Sequence, residues 1–263
     1  MRAPVIIGNG HRVLATFLFL SLVGGAALAS IPAPGDSFAG PSMTAQQSDA
    51  RAIAIAERVM EKMGGQEAWD NTRYIRWSFF GGRTHYWDKW TGNHRIENDG
   101  LVVLFNANTR EGRVWRDGEE ITDPTALAEA LERAYGQWIN DTYWMFMPYK
   151  LRDPGVTLAF VGEEPMADGR SSEVLQLTFE SVGLTPQNRY LVFVASDTGL
   201  VEQWSYFRDA ADAEPGFTAP WENWRQFGNI MLATGHGRDA DWKIAVFPDL
   251  PASVFESPDP VQR

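Results

Sequence analysis

A dense group of large apolar residues after one helix-like segment constrains the fold most strongly. Six aromatic or methionine side chains lie from Tyr143 to Tyr149, a density that is rare in an exposed loop. Pro148 ends a helix arriving from upstream, and Asp-Pro-Gly at 153–155 predicts a turn into a strand. We interpret residues 140–155 as a helix end and loop that cover an aromatic-rich sheet.

Residues 1–29 have the pattern of a secretory signal peptide. Arg2 and Arg12 give a basic start, residues 13–23 form an apolar run, and the small residues Ala27 and Ala29 predict cleavage after Ala29. The alternative is a single membrane anchor, for which the apolar run is short. Residues 30–47 are rich in Pro, Gly, Ser and Ala and predict a flexible linker. Residues 48–263 are then expected to form a single domain.

Cysteine content and charge narrow the class of protein. The sequence has no cysteine, which excludes disulfides and N-terminal lipidation and fits a bacterial periplasm better than a disulfide-rich secreted module. Removing residues 1–29 takes away two arginines and no acidic residue, so the net charge changes from −11 to −13. Such an acidic surface repels nucleic acid, and we expect no nucleic-acid partner. We expect a periplasmic monomer without a cofactor.

Two blocks of strand-like segments flank one helical insertion. Ser48 is predicted to cap a helix over 49–63, strands joined by hairpin turns follow over 72–116, and a second helix begins at Asp123-Pro124. Further strands run between 156 and 247. A helix inserted between two blocks of strands argues against a parallel doubly wound sheet. The predicted fold class is therefore mainly β (α+β), a strongly curved antiparallel half-barrel of about 10–11 strands covered by helices.

One predicted hairpin carries residues with metal-ligand chemistry: His85, Asp88, His94 and Glu97. His85 and Asp88 are three residues apart in one strand, so their side chains point to opposite faces. His94 and Asp88 share a face if the turn between them has three residues, and two ligands are too few for a structural zinc site. We predict cross-strand hydrogen bonding and no metal site.

The sequence shows no catalytic motif. It contains no G-x-S-x-G elbow, H-E-x-x-H, Walker loop or G-x-G-x-x-G, and we assign no catalytic residue. A triad assembled in space stays open, as an exported hydrolase with His85, His94 or His236 as its base. That alternative requires one of these histidines within hydrogen-bond reach of a serine or a carboxylate.

Aromatic residues of the strands and the helix are the candidate ligand-binding residues. Large rings on two facing surfaces can hold a helix and a sheet apart, and each acyl methylene buried between them gains about 0.8 kcal/mol. The alternative is that the same rings form an ordinary core. The predicted apolar cavity is lined by Trp77, Phe79, Tyr86, Trp90, Phe105, Trp115, Trp138, Tyr143, Trp144 and Phe146.

The order of these parts resembles the exported LolA-like group, the outer-membrane lipoprotein-sorting fold. The resemblance rests on residues 63–65 (Met-Gly-Gly), 77–79 (Trp-Ser-Phe) and 85–88 (His-Tyr-Trp-Asp), with a weaker match at 227–230. The most specific part is 143–155, which is similar to the W-x-x-x-P-(aromatic)-K-L-x-D-x-G stretch of that group. It implies an incomplete LolA/LolB-like barrel with helices over a cavity that accepts lipoprotein acyl chains. The family's carrier is shorter, and its lid-locking arginine matches no single arginine here.

We therefore expect a periplasmic, non-enzymatic carrier that binds a lipid or the acyl chain of a lipoprotein, with a transient protein partner in the envelope. Lacking a cysteine to lipidate, the chain is similar to the soluble carrier of that group and not to its anchored acceptor. Two alternatives remain: the hydrolase, and a structural or protein-binding envelope component with a self-filled core. Tight contact between the rings favours the last of these.

Overall fold

The computed structural model describes residues 48–180, 182–237 and 242–262. The predicted signal peptide over 1–29, its cleavage after Ala29 and the linker over 30–47 lie outside the described residues. The single-domain boundary at residue 48 stays a prediction. Within the described part of the chain, no helix has the length and apolar character needed to cross a membrane.

Helices and strands follow the predicted order. The helices are α1 Ala50–Lys62, α2 Gly65–Asn71, α3 Pro124–Phe146 and α4 Ser253–Glu256, with a 3₁₀ turn at Met147–Lys150. The strands of the first block are β1 Tyr74–Phe79, β2 Arg83–Asp88, β3 Asn93–Asn98, β4 Leu101–Asn106, β5 Gly112–Arg116 and β6 Glu119–Glu120. Those of the second block are β7 Val156–Pro165, β8 Ser171–Phe179, β9 Arg189–Ala195, β10 Val201–Phe207, β11 Phe217–Pro220, β12 Glu222–Phe227, β13 Ile230–Gly235 and β14 Ala245–Phe247.

All strand pairs are antiparallel and fall into three sheets. The first has the order β14-β1-β2-β3-β4-β5-β6, the second β11-β10-β9-β8-β7, and β12 and β13 form a hairpin. The predicted fold class, a mainly β half-barrel of antiparallel sheets with covering helices, is confirmed. The structure describes 14 strands, more than the 10–11 expected, and the additional ones include the short strands β6 and β11.

The first helix is capped by a different residue from the predicted one. Asp49 is the N-cap and accepts from the backbone N–H of Ala52 at 2.7 Å, whereas the Ser48 hydroxyl accepts from the Leu158 N–H at 2.9 Å. Gly64 follows the helix with φ +115°, and a Cβ there would lie 2.3 Å from the carbonyl oxygen of Asn229. Only glycine permits this close contact between the end of α1 and the turn before β13.

The long helix α3 begins as predicted. The Asp123 side chain accepts from the Ala126 N–H at 2.9 Å, and Pro124 occupies the first turn. The helix continues through Tyr143 to Phe146 and is followed by the 3₁₀ turn Met147–Lys150, so most of the stretch interpreted as a cover is α-helical or 3₁₀. Its first half packs on β3–β5 through Ala130 and Ala134, and its second half enters the main core.

The outer face of the first sheet is covered by residues 253–259, which we call the C-terminal segment. Arg95 of β3 is 1% exposed, and its guanidinium donates to the carbonyl oxygens of four residues of this segment. The nitrogen–oxygen distances are 3.2 Å to Val254, 2.6 Å to Ser257, 3.2 Å to Pro258 and 2.8 Å to Asp259. We call these contacts the Arg95 clamp.

Candidate functional site

The second half of α3 joins the two large sheets through aromatic contacts. On the side of the first sheet, the ring centroids of Phe146 and Trp77 are 5.1 Å apart. On the side of the second sheet, Trp144 lies edge-on to Trp204 at 4.7 Å, and Tyr143 lies 5.5 Å from Tyr190. We call this region the α3 interface, residues 138–146 with the rings of β1–β3 and β9–β10 that they contact.

Strand register decides which predicted residues reach this interface. Trp77 pairs with His85, and Trp87 pairs with His94, so these four side chains share the face that contacts α3. Tyr86 lies one residue away from that set and points to the opposite face, toward Arg76 and Arg95.

The structure brings together seven of the ten predicted residues and separates three. Tyr86 and Trp115 lie on the outer face of the first sheet, and Trp90 lies in the β2–β3 turn with 58% of its surface exposed. The seven near α3 are Trp77, Phe79, Phe105, Trp138, Tyr143, Trp144 and Phe146. A role of these residues in ligand binding stays a prediction.

The rings of the α3 interface fill the space predicted to be a cavity. Trp77 and Trp204 are at most 1% exposed, as are Phe146 and Met145 on the helix. A cavity of about 150 Å³ lies elsewhere, between the first half of α3 and β4–β6, beside Val103 and Ala130. None of the ten predicted residues lines it.

A buried network of polar side chains crosses from α3 to the first sheet. Asp141 accepts two hydrogen bonds from Arg83, at 2.7 and 2.9 Å, and lies 2.8 Å from His85 Nε2. His85 Nδ1 lies 2.9 Å from His94 Nε2. Asp141, His85 and His94 have no exposed surface, and Trp77 stacks on His85 with centroids 4.6 Å apart. We call Arg83, His85, His94 and Asp141 the buried network.

The hydrogen bonds define where the protons lie. Ionised Asp141 accepts the Nε2–H of His85, so His85 Nδ1 is an acceptor and His94 Nε2–H is the donor to it. His94 Nδ1 has no hydrogen-bond partner among the described residues, and the His94 ring lies beside Phe105 and Trp138. At neutral pH the network contains one cation, Arg83, and one anion, Asp141.

Burial and neighbouring charges shift the pKa values in the network. Burial lowers the pKa of His94 well below its usual range, and the nearby His85 lowers it further. Burial also lowers the pKa of His85, against the opposing effect of Asp141. For Asp141, burial acts to raise the pKa, but hydrogen bonds and charges from His85 and Arg83 outweigh it and lower the pKa overall. Both histidines are therefore neutral at pH 7.

The hydrolase alternative requires a histidine beside a carboxylate and a nucleophile beside that histidine. Among the described residues, the network meets the first requirement and not the second. His85 is within hydrogen-bond reach of a carboxylate, as a general base would be. Both nitrogens of His85 are occupied by Asp141 and His94, and in the described part of the chain no hydroxyl group hydrogen-bonds to either histidine. Among the described residues, the pair therefore lacks the adjacent nucleophile that a Ser-His-Asp arrangement requires.

The other candidate polar residues lie apart from this network. Asp88 points to the outer face and pairs with Arg73 at 2.8 Å. His236 lies between Trp221 and Trp242, with ring centroids at 4.5 and 4.3 Å, and burial lowers its pKa to about 3. Across residues 48–180, 182–237 and 242–262, no group of three or more His, Asp or Glu side chains is placed to hold a metal ion. The predicted cross-strand bonding is present as the His85–His94 contact.

Sequence reasoning missed Arg83 and Asp141. A signal for Asp141 exists, because it is an acidic residue three positions after Trp138 and four before Met145, on the apolar stripe of a helix. Arg83 follows a Gly-Gly turn and carries no comparable signal.

Four donors at the α3 interface have no hydrogen-bond partner among the described residues. They are the indole N–H groups of Trp77, Trp138 and Trp204 and the hydroxyl of Tyr143. Buried polar groups in proteins are usually hydrogen-bonded, so this set is unusual for a purely apolar core.

Comparisons with known proteins give remote structural likenesses. No family model matches the chain, and no curated protein matches it. It is similar to a DUF1329 family protein from Desulfovibrio piger, with 15% identity and a TM-score of 0.41, over 78% of this chain and 97% of that one.

Two further solved structures contain MucB. A chain of the Pseudomonas aeruginosa MucA/MucB complex is similar with 20% identity and a TM-score of 0.24, over 60% of this chain and 51% of that one. MucB in complex with MucA(peri) gives 16% identity and a TM-score of 0.21, over 59% and 49%. The chain therefore matches about half the length of each of these two chains.

Proposed function

We propose that this chain is an exported, non-catalytic binding protein of the periplasm that acts on a protein partner through its surface. The observation that carries the proposal is the direct contact of the α3 rings with both sheets. The α3 interface is filled by the protein's own side chains, which favours the exterior as the binding surface.

Ring spacing argues against a resident acyl chain. Apolar groups in contact are separated by roughly 4 Å, so a chain lying between two surfaces requires about that distance on each side. The centroids of Trp144 and Trp204 are already 4.7 Å apart, and Trp204 also stacks on Tyr190 at 5.1 Å. A ligand enters this region only if α3 moves away from the sheets.

Surface chemistry indicates the kind of partner. The sequence carries 34 acidic and 23 basic residues, and the described residues expose few large apolar side chains, namely Trp90, Val161 and Leu184. Isolated apolar residues of this kind do not form a hydrophobic docking patch. Association with a basic protein surface, weakened by salt, fits this charge better than a hydrophobic contact.

Native mass spectrometry and site-specific cross-linking test the proposal together. Protein purified gently from its source envelope is expected to have the mass of the polypeptide alone. A photo-reactive residue in place of exposed Leu184 is expected to give one protein adduct, which disappears at high salt. A lipid bound at one equivalent, with no protein adduct from several exposed positions, would contradict the proposal.

A second candidate function, binding of a long-chain lipid, is favoured by the unpartnered donors at the α3 interface. The oxygens of a lipid ester or carboxylate are acceptors that the three indole N–H groups and the Tyr143 hydroxyl lack among the described residues. Displacing one large apolar side chain costs roughly 1.5–3 kcal/mol, and one buried methylene returns about 0.8 kcal/mol. Two to four methylenes therefore offset each displaced side chain, which favours long acyl chains.

Brominated fatty acids test this second function because they quench nearby tryptophans. Lipid binding predicts that a 16-carbon acid quenches the fluorescence in a saturable way and that an 8-carbon acid does not. Trp144→Asp is expected to abolish the effect, and Trp90→Asp, in the exposed turn, is the matched control that retains it. Equal responses to both chain lengths would exclude a specific acyl site.

A further inference from the structure

Among the described residues, the polar contacts that attach the second half of α3 to the first sheet are those of the buried network. The rest of that attachment is apolar, through rings such as Trp138 and Phe146. Asp141 is the helix's contribution to the network, and it is bound by β2 through Arg83 and His85. Whatever weakens these hydrogen bonds weakens the attachment of the helix.

We propose that the buried network is an acid-sensitive latch: uptake of a proton by the His85–His94 pair releases the second half of α3 from the first sheet. The inference goes beyond the proposed function and does not depend on it. It follows from the geometry of the site. Two neutral histidines of the first sheet are hydrogen-bonded in series to the single carboxylate that α3 brings to the network.

The charge balance of the network makes it sensitive to one proton. Among the described residues, the charged groups in contact with the histidine pair are Arg83 of β2, through Asp141, and Asp141 of α3 itself. Asn140 also donates to Asp141, at 2.9 Å, and brings no charge. The aromatic rings beside the pair are those of Trp77, Phe105 and Trp138, which are uncharged.

A proton added to the pair has no second carboxylate to balance it. It is held either at His94 Nδ1 or at His85 Nδ1, and in the second case His94 moves its own proton to Nδ1 and accepts through Nε2. Either arrangement changes the network from neutral to a net charge of +1 in a site without exposed histidine surface. An uncompensated buried charge strongly favours an opened arrangement in which water solvates it.

The direction of the pH effect follows from the shifted pKa values. Burial lowers the pKa of both histidines in the closed arrangement, and in an opened one they regain a value near the ordinary 6.5. Below that value the opened arrangement binds more protons than the closed one. The closed arrangement is therefore stable above about pH 6.5 and loses stability as the pH falls below it.

Hydrogen exchange tests the latch. It is read by mass spectrometry on the full chain from pH 7.5 to 5.0 and corrected for intrinsic exchange. Protection of amides 138–146 is expected to fall by about tenfold per pH unit below 6.5 for each proton taken up. Protection of α1 is expected to stay higher than that of 138–146 at every pH, since α1 contributes no residue to the buried network and is exposed only by global unfolding. Constant protection of 138–146, or protection of α1 no higher than that of 138–146 at pH 5.0, would overturn the proposal.

Substitutions assign the effect to the histidine pair. The double variant H85Q/H94Q retains amide groups that hydrogen-bond and cannot take up a proton, and it is expected to lose the pH dependence. His236→Gln, at the other buried histidine, is the matched control and is expected to keep it. If the double variant does not fold, His94→Gln alone decides: a shallower dependence supports the latch, and an unchanged one overturns it.

Discussion

His94 and Arg95 are neighbours in β3 and anchor covering elements on the two opposite faces of the first sheet. His94 points inward to the buried network below α3, and Arg95 points outward to the Arg95 clamp below the C-terminal segment. The two anchors are equally buried and differ in chemistry. A guanidinium keeps its charge at any pH a protein survives, whereas an imidazole loses or gains its charge near neutrality.

The comparison shows that one strand can give two attachments with different responses to acid. The Arg95 clamp holds the C-terminal segment through backbone carbonyls, which do not titrate, and the carboxylate that Arg95 also contacts, Glu97 at 2.6 Å, belongs to β3 itself. The buried network uses one carboxylate and two imidazoles, which do. The covering helix is thus the acid-sensitive element, and the C-terminal segment is the permanent one.

The largest expected effect comes from removing the carboxylate that α3 contributes. Asp141→Ala leaves Arg83 and His85 without their partner at a buried site, and we expect a loss of roughly 3–5 kcal/mol in the free energy of unfolding. Urea unfolding at pH 7.5 measures it. Asp141→Asn, which keeps one acceptor oxygen, is expected to lose less, and equal losses would weaken the electrostatic account.

Removing the outer anchor is expected to cost less and to act locally. Arg95→Ala leaves the carbonyls of the C-terminal segment without their donor, for a loss of roughly 1.5–3 kcal/mol. Hydrogen exchange should rise in residues 253–259 and remain unchanged in α3. A rise in α3 of the same size would show that the two faces are coupled.

The two anchors should also differ in the pH dependence of stability. Below pH 6.5, wild-type stability is expected to fall by up to about 1.4 kcal/mol per pH unit for each proton taken up, since both histidine pKa values are lowered in the folded protein. Arg95→Ala is expected to keep this slope, and H85Q/H94Q to keep only the part due to His236, whose pKa burial lowers to about 3. Urea midpoints at pH 7.5, 6.0 and 5.0 separate these outcomes.

The smallest effect is expected at Tyr86, on the outer face. Tyr86→Phe removes only the hydroxyl that accepts from Arg76 at 3.3 Å, so we expect a loss of at most about 1 kcal/mol, independent of pH. Quenching by brominated fatty acids should be unchanged, because this ring does not reach the α3 interface. A loss of quenching would return Tyr86 to the ligand-binding set.

Much of the fold could be predicted from local patterns. Alternation with a period of two and turns such as Asp99-Gly100 predict antiparallel hairpins, and Asp123-Pro124 predicts the start of α3. The positions of β6 and β11 could not be predicted, because these strands are only two and four residues long and exist through pairing with β5 and β10.

The site could be predicted only in part. Aromatic composition identifies Trp77, Trp144 and Phe146 as interior residues, but it does not distinguish the two faces of a strand where both carry large rings. Val114 and Trp115 are adjacent and both buried, one under α3 and the other on the outer face. Only the register assigns each to its side.

By itself, the amino-acid sequence determined the fold class, the long helix between two blocks of strands, and the concentration of aromatic residues around that helix. These follow from short-range periodicity, capping and turn chemistry, which act over a few residues. The tertiary structure alone decided that the rings meet without a gap and that Asp141 joins Arg83, His85 and His94. Those outcomes depend on the distance between surfaces formed by residues more than forty positions apart, which no local pattern encodes.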